Sequence, residues 1–325
     1  MPTLFGISLV CFVIINLAPG SPVEQQLSKI RFGAAGGSGG SGMGVSQEVI
    51  DAIKKQYGFD KPAHIRYLIW VRNIVTLDFG ESFSYQRPVI QVIFDKLPVS
   101  LSFGIMSLIL IYSISIPVGI AKAVSDGGLY DVWSSVVLMV AYSIPPLILG
   151  ILMRVYLAGG QFMDILPLGE LYSDNYFEMD FWGKVSDRVQ HFIMPLTCYV
   201  MSQFTVRTLL MKNSLMEEIK LDYVRTARAK GLSERTVIYK HALRNALIPI
   251  LTGLGYSLTL FFAGSIIIEQ VFNIDGMGLL TYKSILSRDY NVIMALIFIQ
   301  SVLSMIGRLI SDITYMLVDP RIDFA

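Results

Sequence analysis

Charge is what this sequence has least of. Asp, Glu, Lys and Arg make up 16% of its 325 residues, against 53% hydrophobic ones, whereas a soluble domain carries about a quarter charged residues. The mean hydropathy is +0.57, which excludes an ordinary soluble chain and indicates an integral membrane protein. A formal net charge of +1 leaves no basic excess for a nucleic-acid partner. There are 2 cysteines, Cys11 and Cys198, in separate apolar runs; they read as buried small hydrophobes rather than a disulfide or metal site. The 3 histidines, His64, His191 and His241, are scattered and read as structural. No Gly-x4-Gly-Lys-[Ser/Thr] phosphate loop occurs, so this chain does not itself bind ATP in the usual way. His-Glu-x-x-His and Gly-x-Ser-x-Gly are also missing, as is any catalytic cluster within the apolar runs. An enzyme is therefore not expected, no cofactor is expected in this chain, and any energy must come from partners.

What is present is a series of about six apolar spans, near 2–17, 100–120, 132–156, 193–211, 247–268 and 292–317, each near the ~20 helical residues that cross a hydrocarbon core. The first is short, as a trimmed or truncated helix would be. A secretory signal peptide is its rival reading, disfavoured by the lack of a basic lead-in and of a good cleavage site. The expected organisation is a first helix at 1–18, an extracytoplasmic segment at 19–99, a transmembrane domain at 100–318 and a tail at 319–325. Within the second of these, residues 34–42 form a Gly/Ser linker, compatible with a natural insertion or with the replacement of a longer loop. Helices are expected at 47–56, capped by Ser46, and at about 62–77.

The longest polar interruption is 212–247. From Arg207 to Arg244 there are nine basic and four acidic residues, whereas 157–190 holds six acidic and two basic ones. The positive-inside rule puts 212–247 in the cytoplasm, and six spans then leave both termini there. This loop reads as two short helices. One runs from about Met216 to Lys230 and stops at Gly231, the residue type that best takes a left-handed turn; the next starts after Ser233, an N-cap candidate. Small and basic residues gather before the glycine, which suits docking into an acidic groove of a soluble partner. Lying on anionic lipid or binding calmodulin are the rivals that composition alone allows.

The run Asp222 to Pro249, DYVRTARAKGLSERTVIYKHALRNALIP, resembles the cytoplasmic "EAA" loop of ABC-transporter permeases, in the form found in the dipeptide/oligopeptide importers. Arg225 stands where the wider superfamily has Glu, a departure usual in the peptide subgroup. YGFDKP at 57–62, LDFGES at 77–82, LPVS at 97–100, Glu269-x-Val-Phe with Gly276-x-Gly278, and Asp319-Pro320-Arg321 fit the "B" permease of these systems. SRDY at 287–290 and the closing VDPRIDF are most similar to the Yej-type branch, importers of peptides and microcin C-like antibiotics. The resemblance covers nearly the whole chain and strongly disfavours the lipid and calmodulin readings. It implies an all-α type I importer permease and assigns the coupling helix to Asp222, Tyr223, Val224, Arg225, Thr226, Ala227, Arg228, Ala229, Lys230 and Gly231. It also implies a second homologous permease, two cytoplasmic ATPase domains that bind the ATP and Mg, an extracytoplasmic solute-binding protein, a peptide-like substrate and a bacterial inner-membrane location. The alternative is a secondary transporter or channel subunit, which would need intramembrane coupling residues or internal repeats.

Charges and prolines in the spans are the remaining candidates. Glu269 with Gly276 and Gly278 reads as an outer gate or binding-protein contact. Arg308 and Asp312, four apart on one helical face, read as an intramembrane ion pair. Arg154 is expected to snorkel to the interface. Pro145-Pro146, in the third span, is expected to break a helix.

Overall fold

The computed structural model describes residues 2–17, 60–159, 162–254, 262 and 264–318. The helices among them are α1 (Pro2–Leu17), α2 (Ala63–Val75), α3 (Val89–Val124), α4 (Leu129–Ser143), α5 (Pro146–Leu157), α6 (Phe181–Ile219), α7 (Asp222–Ala229), α8 (Glu234–Thr236), a π-helical turn (Val237–Ala242), α9 (Leu243–Ala246), α10 (Ile248–Thr252), α11 (Ile266–Val271), α12 (Met277–Leu286) and α13 (Tyr290–Val318). The linker 34–42, the helix expected at 47–56, YGFDKP up to residue 59 and the tail 319–325 lie outside the described residues.

Among the described residues two helices, α3 and Tyr290–Met316 of α13, are long and apolar enough to cross a bilayer. The 36-residue α3 begins at Val89, not at 100 as expected, and accommodates Pro98 and Pro117. The third expected span is broken: α4 and α5 meet at 90°. Pro145, at φ −58 and ψ 137, caps α5, and Pro146 occupies its first turn, where the missing N–H costs nothing. The expected span at 193–211 lies inside the 39-residue α6, where Gln203 and Arg207 dilute the hydropathy. Of the 247–268 span, α10 and the start of α11 are described, and residues 255–261 and 263 lie outside.

The chain divides into two compact units, Met1–Leu97 with Leu280–Val302, and Pro98–Leu279 with Leu303–Ala325. In the first, Tyr67 of α2 is buried; its hydroxyl lies 2.9 Å from that of Ser8 on α1, and its ring packs against Phe5, Phe12 and Trp70. This unit also joins two of the sequence motifs. The Asp289 carboxylate, fully buried, accepts from Ser82 Oγ at 2.5 Å and from the Ser84 N–H at 3.0 Å, while Asn291 donates to the Glu81 carbonyl at 2.7 Å. LDFGES and SRDY are thus one hydrogen-bonded site.

In the second unit an apolar core gathers Ile120, Met211, Leu215, Val224, Val237, Ile238 and Ile250, and another gathers Phe103, Met194, Cys198, Ile268, Phe272 and Ile274. Both cysteines are free thiols, Cys198 being buried. His191 is buried and its Nδ1 lies 2.9 Å from the Asp187 carbonyl, a structural position of the kind expected.

Candidate functional site

The short helix α7 starts because α6 ends. The last α6 carbonyls, Glu217 and Glu218, take the N–H groups of Lys220 and Leu221 at 3.2 Å. Leu221 then turns extended, at φ −74 and ψ 152, and α7 begins at Asp222. The boundary expected at Met216 is therefore too early: Met216 belongs to α6. Asp222 in the first turn and Arg228 in the last both complement the helix dipole.

Val224 and Ala227, three apart on one face, are buried in the core formed with Val237, Ile238 and Ala242. Asp222, Tyr223, Arg225, Thr226, Arg228, Ala229, Lys230 and Gly231 are exposed. Ala227, grouped in sequence with the docking residues, faces inward instead. At the far end Gly231 has φ +77, and its N–H donates to the Arg228 carbonyl at 2.9 Å. A Cβ at Gly231 would meet nothing within 4 Å, so the glycine is needed for its backbone angle, not for space.

Two polar links fix this block. Arg228 crosses the glycine turn to Glu234 with a bidentate pair, Nε to Oε2 at 3.0 Å and Nη2 to Oε1 at 2.6 Å, which holds the Glu234 carboxyl below its ordinary pKa. The Tyr223 hydroxyl donates to Glu218 and accepts from Asn245 Nδ2 at 3.1 Å; burial and the Glu218 carboxylate push its pKa up to about 12. Ser233 caps α8 as expected, accepting from the Thr236 N–H. The π-helical turn that follows buries Val237, Ile238 and Ala242 against α7. The result is a small helix seated on its own core, with a basic outer face.

A charge network not singled out from the sequence lies in the same unit. Lys122 is fully buried; its Nζ lies 3.0 Å from Asp131 Oδ1 and donates to the Asp131 carbonyl, Ser134 Oγ and Ser135 Oγ at 2.7–2.9 Å. Lys212, on α6, pairs with Asp131 at 2.7 Å and Asp126 at 2.9 Å. The partners of Lys122 itself lie within 13 positions of it, but Lys212 joins Asp131 from 81 positions away. Only the packing of α3, α4 and α6 brings them together.

Glu269 is buried, with 1% exposure, and is no accessible contact surface. Its carboxylate accepts from the Leu279 N–H at 2.7 Å, the Ser265 N–H at 3.2 Å and Ser100 Oγ at 3.2 Å. Ser100 Oγ in turn accepts from the Met277 N–H at 2.8 Å. Gly276 and Gly278 surround this knot: a Cβ at Gly276 would lie 2.8 Å from the Glu269 carboxyl carbon, and one at Gly278 2.7 Å from the Ile266 nitrogen. Three residues named together from the sequence do come together, as a tie between α3, α11 and α12.

Arg308 and Asp312 are both exposed on α13, and no ion pair joins them among the described residues. Arg before Asp at i,i+4 is the less favourable order along a helix. Arg154 donates from Nη1 to the Val271 carbonyl, closing the C-terminus of α11 rather than reaching out to the interface. Among the described residues no group of three or more His, Cys, Asp or Glu side chains could hold a metal ion.

Residues 115–324 match the family model described as the binding-protein-dependent transport system inner membrane component. A peptidoglycan transport system permease, YejB of Agrobacterium fabrum, is 43% identical, covering 100% of this chain and 95% of that protein. An inner membrane ABC transporter permease, YejB of Escherichia coli O157:H7, is 39% identical over 100% of this chain and 96% of its own length. The oligopeptide transport system permease AppB of Bacillus subtilis is 32% identical, with 100% and 96% covered. Among solved structures, an inward-facing MetNI methionine ABC transporter matches with a TM-score of 0.53 at 16% identity, over 71% of this chain and 97% of that one; this likeness concerns the fold.

Proposed function

This chain belongs to the family of binding-protein-dependent transport system inner membrane components, and from that premise we propose that it forms half of the pore of an ATP-driven importer of peptides or peptide-like compounds. Its relatives are transport permeases and not enzymes. The peptide class rests on the names those relatives carry, peptidoglycan and oligopeptide transport permeases.

The observation that carries the mechanism is the seating of α7. Val224 and Ala227 anchor it in the core while Arg225, Thr226, Ala229 and Lys230 face out. A helix held this way moves as one body with α6 when a soluble partner grips its outer face. ATP binding closes two cytoplasmic ATPase domains, α7 follows them, and the spans alternate between inward and outward openings. Six spans, cytoplasmic termini, a cytoplasmic 212–247 loop, an extracytoplasmic segment between the first two spans, a second homologous permease and a solute-binding protein complete this reading. ATP and Mg belong to the ATPase partners.

The test is the ATPase activity of this chain purified with its partner subunits, with and without loaded binding protein and with and without Gly231→Pro. Stimulation that the substitution removes supports the importer and its coupling helix together. No associated ATPase would overturn the reading in favour of a secondary transporter.

A further inference from the structure

Arg207 opens the basic run that leads into 212–247, yet it does not sit in that loop. It lies on α6, roughly 18 Å before the Ile219 end at 1.5 Å per residue, and its guanidinium stacks 5.8 Å from the ring centre of Tyr112. Tyr112 stands well inside the membrane-crossing α3. On another side the guanidinium lies against Gly253, where a Cβ would come within 2.7 Å of Nη1, so this glycine leaves room for the cation. Among the described residues Arg207 forms no ion pair. A cation at membrane depth is costly and is kept for a purpose or a partner.

The residues around it form a cavity of ≈ 260 Å³, mostly apolar in lining, into which Tyr112, Tyr199, Gln203, Arg207 and Ser265 bring the polar groups. The Tyr199 hydroxyl is buried beside Ser265 and the Glu269 carboxylate, so Arg207 is the group in this cavity that is left to take an anion. An apolar cavity with a few converging polar groups is the form of a small-molecule site, and an arginine fork suits a carboxylate better than any other common anion of a peptide.

We propose that this cavity is a carboxylate subsite on the translocation path. Arg207 takes the terminal or side-chain carboxylate of a passing peptide, and Tyr112 holds the guanidinium in place through its ring. The proposal rests on the importer reading for the identity of the substrate, but not for its chemistry.

The test uses the complete importer in nanodiscs of zwitterionic lipid, with Gln203→Cys as a reporter one helical turn from Arg207. The alkylation rate at position 203 is read by mass spectrometry with trialanine, with trialanine amide, or with neither. Trialanine is expected to slow labelling and its amide to leave it unchanged. An anionic thiosulfonate should react about tenfold faster relative to a cationic one than it does after Arg207→Gln, and Arg207→Lys should restore the preference. Equal protection by both peptides would reduce the site to an apolar cavity, and protection by neither would remove it; either result overturns the proposal. Protection by added phosphatidylglycerol but not by trialanine would assign the cation to lipid, which also overturns it. A failure of the importer reading appears elsewhere, as the absence of ATP-driven uptake by the unsubstituted complex.

Discussion

Ser100 and Glu269, 169 positions apart, share a buried hydrogen bond of 3.2 Å, and through it α3, α11 and the start of α12 are tied at one point. Gly264 and Gly276 admit the carboxylate only because they lack a Cβ, and Gly278 admits the Ser265–Ile266 backbone for the same reason. The element read from the sequence as a gate is thus a fixed joint, about which neighbouring helices would move together.

Glu269→Ala leaves the Leu279 and Ser265 N–H groups without their acceptor in a buried place. Hydrogen bonds to a charged group contribute about 1.5–3 kcal/mol each, so a loss of several kcal/mol is expected, read as a lower unfolding temperature of the purified complex. Glu269→Gln keeps one acceptor oxygen and should lose less. Equal stability of all three proteins would show that the knot is not a joint.

At Gly231 the demand is on φ alone. Gly231→Ala should cost about 1–2 kcal/mol locally and lower stimulated ATPase partially, Gly231→Asn should be milder, and Gly231→Pro should abolish coupling because its ring fixes φ near −65°. Binding-protein-stimulated ATPase measured across the three variants checks the order. Identical behaviour of Ala and Pro would argue that a steric contact, not the angle, matters there.

The two faces of α7 should fail differently. Ala227→Arg places a charge in the core and should expose 212–247 to limited proteolysis. Arg225→Glu lies on the exposed face and should leave the proteolysis pattern intact while weakening ATPase association, most at low salt. If Arg225→Glu retains full association, the partner does not grip that face.

Lys122→Met removes one partner of a buried ion pair and leaves Asp131 with Lys212 alone. Because Lys212 still neutralises Asp131, the loss should stay below the about 3–5 kcal/mol of an uncompensated buried charge, expected as faster thermal inactivation of the detergent-solubilised complex. An unchanged half-life would mean that the network does not brace α3 against α4.

The bracket across the glycine turn is pH-sensitive in a stated direction. Arg228 lowers the pKa of Glu234, so the support it gives to the fold is complete above the ordinary carboxyl value and is lost as pH falls through the lowered one. Hydrogen-exchange protection in 228–236, relative to the intrinsic rate at each pH, should fall over that acidic window, and Glu234→Gln should show the lower protection at neutral pH too. Protection that does not change with pH would dismiss the bracket.

The sequence by itself determined the membrane class, the family and the glycine stop of the short helix before Gly231, because these depend on local composition and on the contiguous motif from Asp222 to Pro249. It also determined the break at Pro145-Pro146, since proline chemistry acts on its own backbone. Tertiary structure decided what depends on partners distant in the chain. Ala227 turned inward because α7 sits on Val237 and Ile238; Glu269 became a joint because Ser100 reaches it; Lys122 found Asp131 and, through it, Lys212; Arg207 left the cytoplasmic tally for a cavity beside Tyr112. A side chain's spacing tells which helix face it occupies, but only packing tells what that face meets.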